Sequence, residues 1–498
     1  MNSASLKQIA FVFIGMFVLD VLLFSSLRAD ISLPKIFTDH MVLQQNSNVR
    51  ISGTAEPAQK LSVKFADKEL KTTADVKGNW SVIMPTPAAG GPYIMEVVAE
   101  AGEPKIVFSD ILVGEVWLCA GHNMELPVSK SLNAETEVDL SKNFPKIRLF
   151  RIDDSASAVP LPDFAKVDPW RVCSPDAVKD FSATAYFFGR ELSKGLKEDV
   201  PIGLIDASWD WTTAESWCSR GAMDKVKSLA PLLQYWDESE KLPTDKNRPG
   251  NLYNGMIAPM VDFPVRGVIW YQGEANHGRG HQYATLMPTL IKDWRRAFRN
   301  EKLPFYFVQL APYRYEGKSP DGLAELWDAQ LKTVKAVPNT AMVVTTDIGN
   351  LQEIHPKNKQ EVGRRLSLIA LSKLYDKQRK EPEKELIASG PLYESMSTNA
   401  DRIRILFNHA DGLKVRTEGE EPSCFLICGK DKKFVPATAK IVGEAIDVSS
   451  SEVKNPIAVR YCWNDSVQPN LVNRVGLPAS PFRTDDFPLE SVEQDVGF

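Results

Sequence analysis

The sequence predicts an α/β protein: a doubly wound core with a mostly parallel sheet, flanked by β-sandwich-like modules at both ends. Two observations predict this fold. Within residues 109–385, short apolar segments alternate with longer stretches of helical periodicity, as in a parallel sheet covered on both faces. On either side of this region, short segments of alternating polar and apolar residues are separated by turn signals. We therefore expect three folded regions.

Length and composition agree with this division and argue against some partners. A chain of 498 residues is too long for a single hydrophobic core. Its content of 43% hydrophobic and 25% charged residues is typical of globular proteins. A formal net charge of -5 without a long basic run argues against nucleic acid or an anionic membrane as the main partner. The oligomeric state does not follow from these features.

The first 29 residues have the pattern of a secretory signal. Lys7 precedes an apolar run over residues 9–24, and small residues then lead to Ala29. A membrane anchor is the alternative, but the run is short and Asp20 interrupts it. We expect residues 1–29 to be removed, so that the mature chain is secreted or periplasmic and has no membrane contact.

The two flanking regions have the alternation of half-buried strands. Residues 30–108 predict an N-terminal β-sandwich, with alternating segments such as residues 61–65. Residues 386–498 predict a C-terminal β-rich module, because the alternation returns at residues 402–407 and 457–461. The six cysteines are scattered and indicate neither a disulfide framework nor a zinc site.

The central region, residues 109–385, supplies the parallel sheet and its covering helices. The apolar strand candidates are residues 111–119, 201–208, 265–271, 305–311 and 341–345. The clear helix candidates are residues 183–196, 282–298 and 357–375. In such sheets a ligand binds beyond the carboxyl ends of the strands. The residues that follow these strands are therefore the candidate site.

Polar clusters follow four of the five strands. They occupy residues 120–125, 209–217, 272–276 and 347–355. Loops that bring His, Asn, Asp and Glu together suit acyl transfer or hydrolysis, which needs a nucleophile, a base and amide donors for the oxyanion.

Six long stretches resemble one family. They are residues 33–44, 114–119, 253–259, 267–276, 355–363 and 476–483, and the fourth reads GVIWYQGEAN. On these stretches the chain resembles the sialate O-acetylesterases, carbohydrate esterases of the SGNH hydrolase superfamily, over almost the whole mature sequence. The resemblance implies an SGNH-type core and an O-acetylated sialic acid, or a related sugar or glycan, as substrate. It implies no cofactor.

The resemblance also assigns roles to residues. It implies that His355 is the general base, that Glu353 or Asp347 orients it, and that the Asn276 side-chain amide faces the oxyanion. A structural histidine ahead of a helix and a capping asparagine are the alternatives for His355 and Asn276. The positions assigned to substrate binding are Gln272, Glu274 and Trp211.

Two motifs depart from the family's pattern. The nucleophile turn usually reads Cys-Ser-Gly-Gln-Ser-Asn-Met-Glu, whereas here no serine stands before Asn123 and the preceding residue is His122. The turn Trp-Gly-Gly-Thr, which supplies an oxyanion N–H, here contains Asp210 and Trp211 instead of two glycines. Loss of a serine nucleophile lowers turnover by about 10^6-fold, and loss of one oxyanion donor costs roughly 3–4 kcal/mol.

The replaced positions leave three functions open. The first is an O-acetylesterase with an altered mechanism, in which His122 is a bystander or a replacement nucleophile. The second is a catalytically silent glycan-binding protein, with tryptophans such as Trp211 stacking on sugar rings. The third is a metal-assisted hydrolase, in which His122, Asp210 and His355 form a site of two histidines and one carboxylate.

Overall fold

The computed structural model describes residues 30–492 except 101, 103, 104, 198, 199 and 317. The predicted signal segment, residues 1–29, lies outside the described residues. The N-terminal strands are β1 (Val42–Gln44), β2 (Asn48–Thr54), β3 (Lys60–Phe65), β4 (Lys68–Thr73), β5 (Asn79–Pro85), β6 (Gly90–Ala99) and β7 (Lys105–Ala120). Strand β2 pairs with β5, and β3 pairs with β4 and β6, all antiparallel. Buried and exposed side chains alternate along β3 and β5, because each faces a core on one side only.

Strand β7 joins the N-terminal strands to the central sheet. Its first half pairs antiparallel with β6 and keeps alternating exposure, whereas every residue from Ile111 to Ala120 is buried. That second half lies between two parallel strands of the central sheet, so both of its faces are covered. The predicted division after residue 108 falls inside this strand, and the division of the chain into domains stays a prediction.

The central sheet is mostly parallel, as predicted. Its further strands are β8 (Ile147–Ile152), β9 (Val167–Val172), β10 (Ile202–Ala207), β11 (Gly267–Trp270), β12 (Phe305–Val308) and β13 (Thr340–Val343). The order is β13-β12-β11-β7-β10-β8-β9, and the edge strand β9 is antiparallel to β8. All five predicted strands are present, while β8 and β9 lie outside the predicted segments.

Helices cover both faces of this sheet. They are α1 (Ala134–Leu140), α2 (Pro175–Val178), α3 (Ala183–Gly195), α4 (Arg220–Met223), α5 (Ala230–Glu238), α6 (Gly280–Ala297), α7 (Gly322–Ala336) and α8 (Lys359–Leu374). Trp117 of β7 packs on Phe188 of α3, with ring centroids 4.9 Å apart. Trp270 of β11 projects from the opposite face, because Trp117 pairs with Gly267, and it packs on Trp294 of α6 at 5.8 Å. The doubly wound core is thereby confirmed.

The C-terminal region forms small antiparallel sheets. Its strands are β14 (Leu392–Asn399), β15 (Arg402–Asn408), β16 (Lys414–Val415), β17 (Phe425–Cys428), β18 (Val435–Pro436), β19 (Thr438–Val442), β20 (Ala445–Ser449), β21 (Ala458–Tyr461), β22 (Leu471–Val472) and β23 (Phe482–Arg483). One sheet has the order β14-β15-β20-β19 and another the order β18-β17-β21-β23. Within the described residues, no helix combines the length and the apolar character needed to cross a membrane.

Candidate active site

Three strand ends place the candidate loops side by side. Ala120, the last residue of β7, pairs with Ala207 of β10 on one side and with Trp270 of β11 on the other. The loops that follow these three strands therefore begin at the same edge of the sheet. This is the edge at which ligands bind in doubly wound folds.

The turn after β7 is tight and buried. Gly121 has φ 107°, and a Cβ at this position would lie 2.7 Å from the carbonyl oxygen of Tyr271. Glycine is therefore needed here. The Asn123 backbone N–H donates to the same Tyr271 oxygen at 2.9 Å. These contacts fix His122, whose side chain is fully buried, at the edge of the sheet.

The two positions that depart from the family's pattern are in contact with each other and with His355. The His122 Nε2 atom lies 2.8 Å from His355 Nε2 and 3.1 Å from Asp210 Oδ1. The distance from His355 Nε2 to Asp210 Oδ1 is 3.7 Å. The Nδ1 atom of His122 is buried and has no hydrogen-bond partner among the described residues. We call these three residues the His-Asp-His cluster.

The loop after β10 presents Asp210 to the cluster and Trp211 to solvent. Asp210 Oδ1 accepts the Trp211 backbone N–H at 2.9 Å, and Lys246 Nζ donates to the Asp210 carbonyl oxygen at 2.6 Å. Trp211 has φ 54°, which is uncommon for a bulky residue. Its side chain is 50% exposed, and its ring centroid lies 5.5 Å from that of His122. An apolar surface therefore borders the cluster.

His355 lies just ahead of helix α8. Asn358 caps that helix by accepting the Glu361 backbone N–H at 3.2 Å, so the helix begins only at Lys359. Burial lowers the pKa of His355, and the neighbouring His122 lowers it further. His355 is therefore neutral at neutral pH, as a general base must be. Within the described residues, no serine hydroxyl lies at hydrogen-bonding distance from His355 or His122.

The two acids predicted to orient His355, Asp347 and Glu353, pair with other residues. Asp347 accepts two hydrogen bonds of 2.7 Å from Arg365 and one of 2.9 Å from Arg416. Burial alone would raise the pKa of Asp347, but these two arginines outweigh it and hold that pKa below its ordinary value. Glu353 pairs with Lys357 at 3.7 Å. The carboxylate that lies next to His355 is Asp210.

Asn276 and Gln272 belong to a buried network behind the cluster. Asn276 Oδ1 accepts the Ala214 backbone N–H at 2.9 Å and Gln272 Nε2 at 2.7 Å. Its amide Nδ2 donates to Glu215 Oε2 at 2.9 Å, and the other Glu215 oxygen accepts from Arg279 at 2.9 Å. The Asn276 side chain thus holds the loop after β10 in place. We call this group the Glu215 network.

A second buried group connects the turn after β7 to helix α8. The Asn123 side chain donates to Glu274 and accepts from the Lys359 ammonium group. Lys359 has no solvent exposure, and its ammonium lies 4.6 Å from the centre of the Tyr271 ring. Burial lowers the pKa of Lys359 to about 7, while Glu274 opposes this shift. Glu274 and Asn123 therefore hold a buried amine next to the cluster.

Glu125 is a further group that the sequence reasoning did not single out. Burial raises its pKa to about 7, and the charges of Asp210 and Asp154 raise it further. Its Oε2 atom is buried and has no hydrogen-bond partner among the described residues. The signal in the sequence was its place at the end of the departing turn, two residues after Asn123. The other missed groups are Glu215, within the polar cluster 209–217, and Lys359, within the family-like stretch 355–363.

The arrangement offers one combination of side chains suited to a metal ion. Across the described part of the chain, one group of three His, Cys, Asp or Glu residues has its potential ligand atoms within 4.8 Å of one another. It consists of His122, Asp210 and His355. Two imidazoles and a carboxylate are also the groups that handle protons in hydrolysis. The geometry thus suits hydrolytic chemistry by proton transfer or by a bound cation.

Comparison with known proteins identifies related sequences. The family model described as "Carbohydrate esterase, sialic acid-specific acetylesterase" matches residues 168–371, which contain Asp210 and His355 but not His122. The chain is 28% identical to the sialate O-acetylesterase of Mus musculus over 487 residues, covering 85% of this chain and 88% of that protein. It is 29% identical to the sialate O-acetylesterase of Homo sapiens over 464 residues, covering 85% and 86%.

A solved structure is similar over nearly the whole chain. It is the crystal structure of a carbohydrate acetylesterase from Xanthomonas citri, with 34% sequence identity and a TM-score of 0.82. The match covers 92% of this chain and 100% of that one. The similarity therefore includes the flanking β strands as well as the doubly wound core.

Proposed function

Because the chain belongs to the sialic acid-specific acetylesterase family of carbohydrate esterases, we propose that it removes acetyl groups from an O-acetylated sugar at the His-Asp-His cluster. The substrate that we propose is O-acetylated sialic acid or a related sugar. The observation that carries this proposal is the 2.8 Å approach of His355 to the turn after β7. His355, which the resemblance implies to be the base, thus contacts the turn that replaces the family's nucleophile turn.

A water molecule takes the part of the missing serine in this proposal. No serine hydroxyl of the described residues contacts His355, and the attacking group in this proposal is a water molecule from solvent. The His355 side chain is 26% exposed, and water can therefore reach it. A neutral imidazole in this position accepts a proton from an attacking water, and such general base catalysis contributes about 10^2–10^4-fold.

The sugar ring packs on Trp211 in this proposal. Its indole is 50% exposed, and it borders both imidazoles, with ring centroids 5.5 Å from His122 and 6.5 Å from His355. A flat apolar ring that is open to solvent beside a polar cluster is the usual arrangement for binding the apolar face of a sugar. Trp211 would thus place an acetyl group close to His355.

A silent glycan-binding protein is the second candidate, and one observation favours it. The Asn276 amide, which the family's pattern assigns to the oxyanion, donates to the buried carboxylate of Glu215. One of its two N–H bonds is thereby used and the side chain has no solvent exposure, so the amide gives little help to a developing oxyanion. In that case Trp211 binds the sugar but no acetyl group is removed.

Hydrolysis of an acetyl ester separates these two functions. We expect the purified chain to release acetate from a chromogenic acetyl ester and from O-acetylated sialic acid, and His355→Ala to lose about 10^2–10^4-fold of this rate. His40→Ala is the matched control, since His40 pairs with Asp110 at 2.7 Å in a different part of the chain. Equal rates in the wild type and in His355→Ala would contradict the esterase. Binding on a glycan array without turnover would support the silent protein.

Export of the mature chain belongs to this proposal as well. It is supported by the apolar run over residues 9–24 and by the short segment that follows it and ends at Ala29. An exported esterase meets the O-acetylated glycans of cell surfaces and secretions. Mass spectrometry of the mature N-terminus from the native host tests it, and an N-terminus at Asp30 is the expected result.

A further inference from the structure

Three atoms with lone pairs converge on one point in the His-Asp-His cluster. They are Nε2 of His122, Nε2 of His355 and Oδ1 of Asp210. We propose that these three atoms bind one divalent cation, and that this cation is Zn²⁺. Two imidazole nitrogens and a carboxylate oxygen are ligands that zinc accepts in its catalytic sites.

The distances between the three atoms fit the edges of a zinc tetrahedron. Zinc lies about 2.0–2.2 Å from nitrogen and oxygen ligands, so neighbouring ligand atoms are about 3.3 Å apart. The three distances in the cluster are 2.8, 3.1 and 3.7 Å, which lie on both sides of that value. Shifts of about half an ångström bring them to the tetrahedral spacing. Movements of this size are available to side chains on loops.

A proton holds these atoms together less well than a cation does. One proton can bridge the two imidazole nitrogens at 2.8 Å, but Asp210 Oδ1 cannot share the same proton with both rings. The buried His122 therefore has two neighbours that compete for a single hydrogen at Nε2. A divalent cation accepts a lone pair from each of the three atoms at once, and it removes this competition.

The frame around the cluster holds the three ligand atoms in place. His122 and Asp210 follow neighbouring parallel strands, and His355 precedes helix α8, so three separate segments fix the three atoms. The carboxylate of Glu125 acts on Asp210, and that of Glu274 acts on His355. Lys359 is the cation that opposes them at His355. Two acidic groups thus act on the ligands, and so does a second ammonium group, that of Lys246, which donates to the Asp210 carbonyl oxygen at 2.6 Å.

One side of the proposed site is open. The side chain of Asp210 is 37% exposed and that of His355 is 26% exposed, whereas His122 is fully buried. A fourth ligand position would thus face solvent. Structural zinc sites are closed by four protein ligands, whereas catalytic sites have three and a water molecule. The open side therefore indicates a catalytic site.

A zinc-bound water can replace the missing serine, and His355 then binds the ion instead of acting as the base. This consequence rests on the proposed esterase function. Zinc lowers the pKa of its water to about 7, which makes a nucleophile available at neutral pH. The water oxygen forms a bond to the acetyl carbonyl carbon, and the bond from that carbon to the sugar oxygen breaks. The sugar oxygen takes up a proton from the water, and the products are the free hydroxyl group and acetic acid. No other reactant is needed.

Zinc binding is tested directly on the full mature chain. After treatment with a chelator and dialysis, calorimetric titration with ZnCl₂ should show one ion bound per chain. Titration with Co²⁺ should give the visible absorption of a tetrahedral site. Asp210→Asn, on an exposed loop, should weaken binding by at least about 10-fold. His40→Ala, a second histidine beside a carboxylate, should bind zinc as the wild type does.

The outcomes that overturn the inference are distinct from failure of the esterase. Absence of one-to-one zinc binding in the wild type overturns it, and so does equal affinity in Asp210→Asn and His40→Ala. Ester hydrolysis that persists at full rate in excess chelator would leave the esterase intact and remove zinc from its mechanism. Zinc binding without ester hydrolysis would keep the metal site and contradict the esterase.

Discussion

The Glu215 network and the His-Asp-His cluster lie beyond the same edge of the sheet, and they use their polar atoms in opposite ways. In the network, each Glu215 oxygen accepts a hydrogen bond from a buried donor, one from Asn276 and one from Arg279. In the cluster, three lone-pair atoms face one another. Both Glu215 oxygens in the network therefore already have hydrogen-bond partners, whereas the atoms of the cluster can still bind a proton, a cation or a substrate.

This contrast separates the part of the site that is fixed by hydrogen bonds from the part that departs from the family's pattern. Buried polar groups with complete hydrogen bonding make a structure rigid and are costly to disturb. The Glu215 network therefore positions the loop after β10, while the residues that differ from the family's pattern, His122 and Asp210, lie in the cluster. A change in chemistry at the cluster is compatible with an unchanged scaffold.

The largest effect that we expect on stability comes from breaking the network. Glu215→Ala removes the buried carboxylate that binds both Asn276 and Arg279, and it should lower the free energy of unfolding by about 3–5 kcal/mol. Asp210→Asn should lower it by less than about 1 kcal/mol, since the Asp210 side chain is 37% exposed. Chemical denaturation followed by tryptophan fluorescence measures both. Equal losses in the two variants would contradict the distinction between network and cluster.

A smaller effect concerns the buried amine beside the cluster. Burial lowers the pKa of Lys359 to about 7 from an ordinary value of 10.5. The unfolded chain therefore binds more protons between these values, and stability rises with pH across this window. The part of the stability that Lys359 contributes is fully present above about 10.5 and is lost as the pH falls to about 7.

Comparison with Lys359→Met measures this contribution. From pH 7 to pH 9 the wild type should gain about 1–2 kcal/mol of unfolding free energy relative to Lys359→Met. Lys357→Met, at a lysine that is 58% exposed, is the control for loss of a surface charge. A difference between the wild type and Lys359→Met that is independent of pH would show that the amine is hydrated in solution.

The fold followed from the sequence because its signals are local. Most strands of the parallel core are short apolar runs, since both of their faces are buried, as in β10 and β11. Strand β8 escaped prediction because two arginines interrupt its apolar residues. The edge strand β9 escaped prediction because its buried and exposed residues do not form an apolar run. Helix α7 escaped prediction as well. Eleven of its fifteen residues are buried, but some of these are charged, so the sequence does not show which residues of the helix are buried.

The site could be predicted from the sequence only in part, because its contacts join residues that are far apart in the sequence. The strand ends placed His122, Asp210 and His355 in neighbouring loops, and a site of two histidines and one carboxylate was among the alternatives. No local feature of the sequence indicated that Asp347 binds Arg416, a residue 69 positions later. Asp210 is therefore the carboxylate next to His355, in place of Asp347. Lys359 was missed because a lysine in the first turn of a helix is ordinarily exposed.

The smallest effect that we expect concerns Glu125, a partly buried acid whose pKa depends on the charge of Asp210 in the cluster. Burial raises the pKa of Glu125 to about 7 from 4.5, and the charge of Asp210 is the next cause. A carboxyl group with a raised pKa contributes stability that is present below about 4.5 and is lost as the pH rises through about 7. The wild type should therefore lose about 1 kcal/mol relative to Glu125→Gln between pH 5 and pH 8.

The same measurement in the Asp210→Asn background tests the cause of this shift. Without the negative charge of Asp210, the pKa of Glu125 should move back toward its ordinary value, and the loss between pH 5 and pH 8 should become smaller. Zinc at the cluster should act in the same direction, because a cation bound to Asp210 favours the ionised form of Glu125. An unchanged loss in Asp210→Asn would assign the shift to burial and to Asp154, and it would separate Glu125 from the cluster.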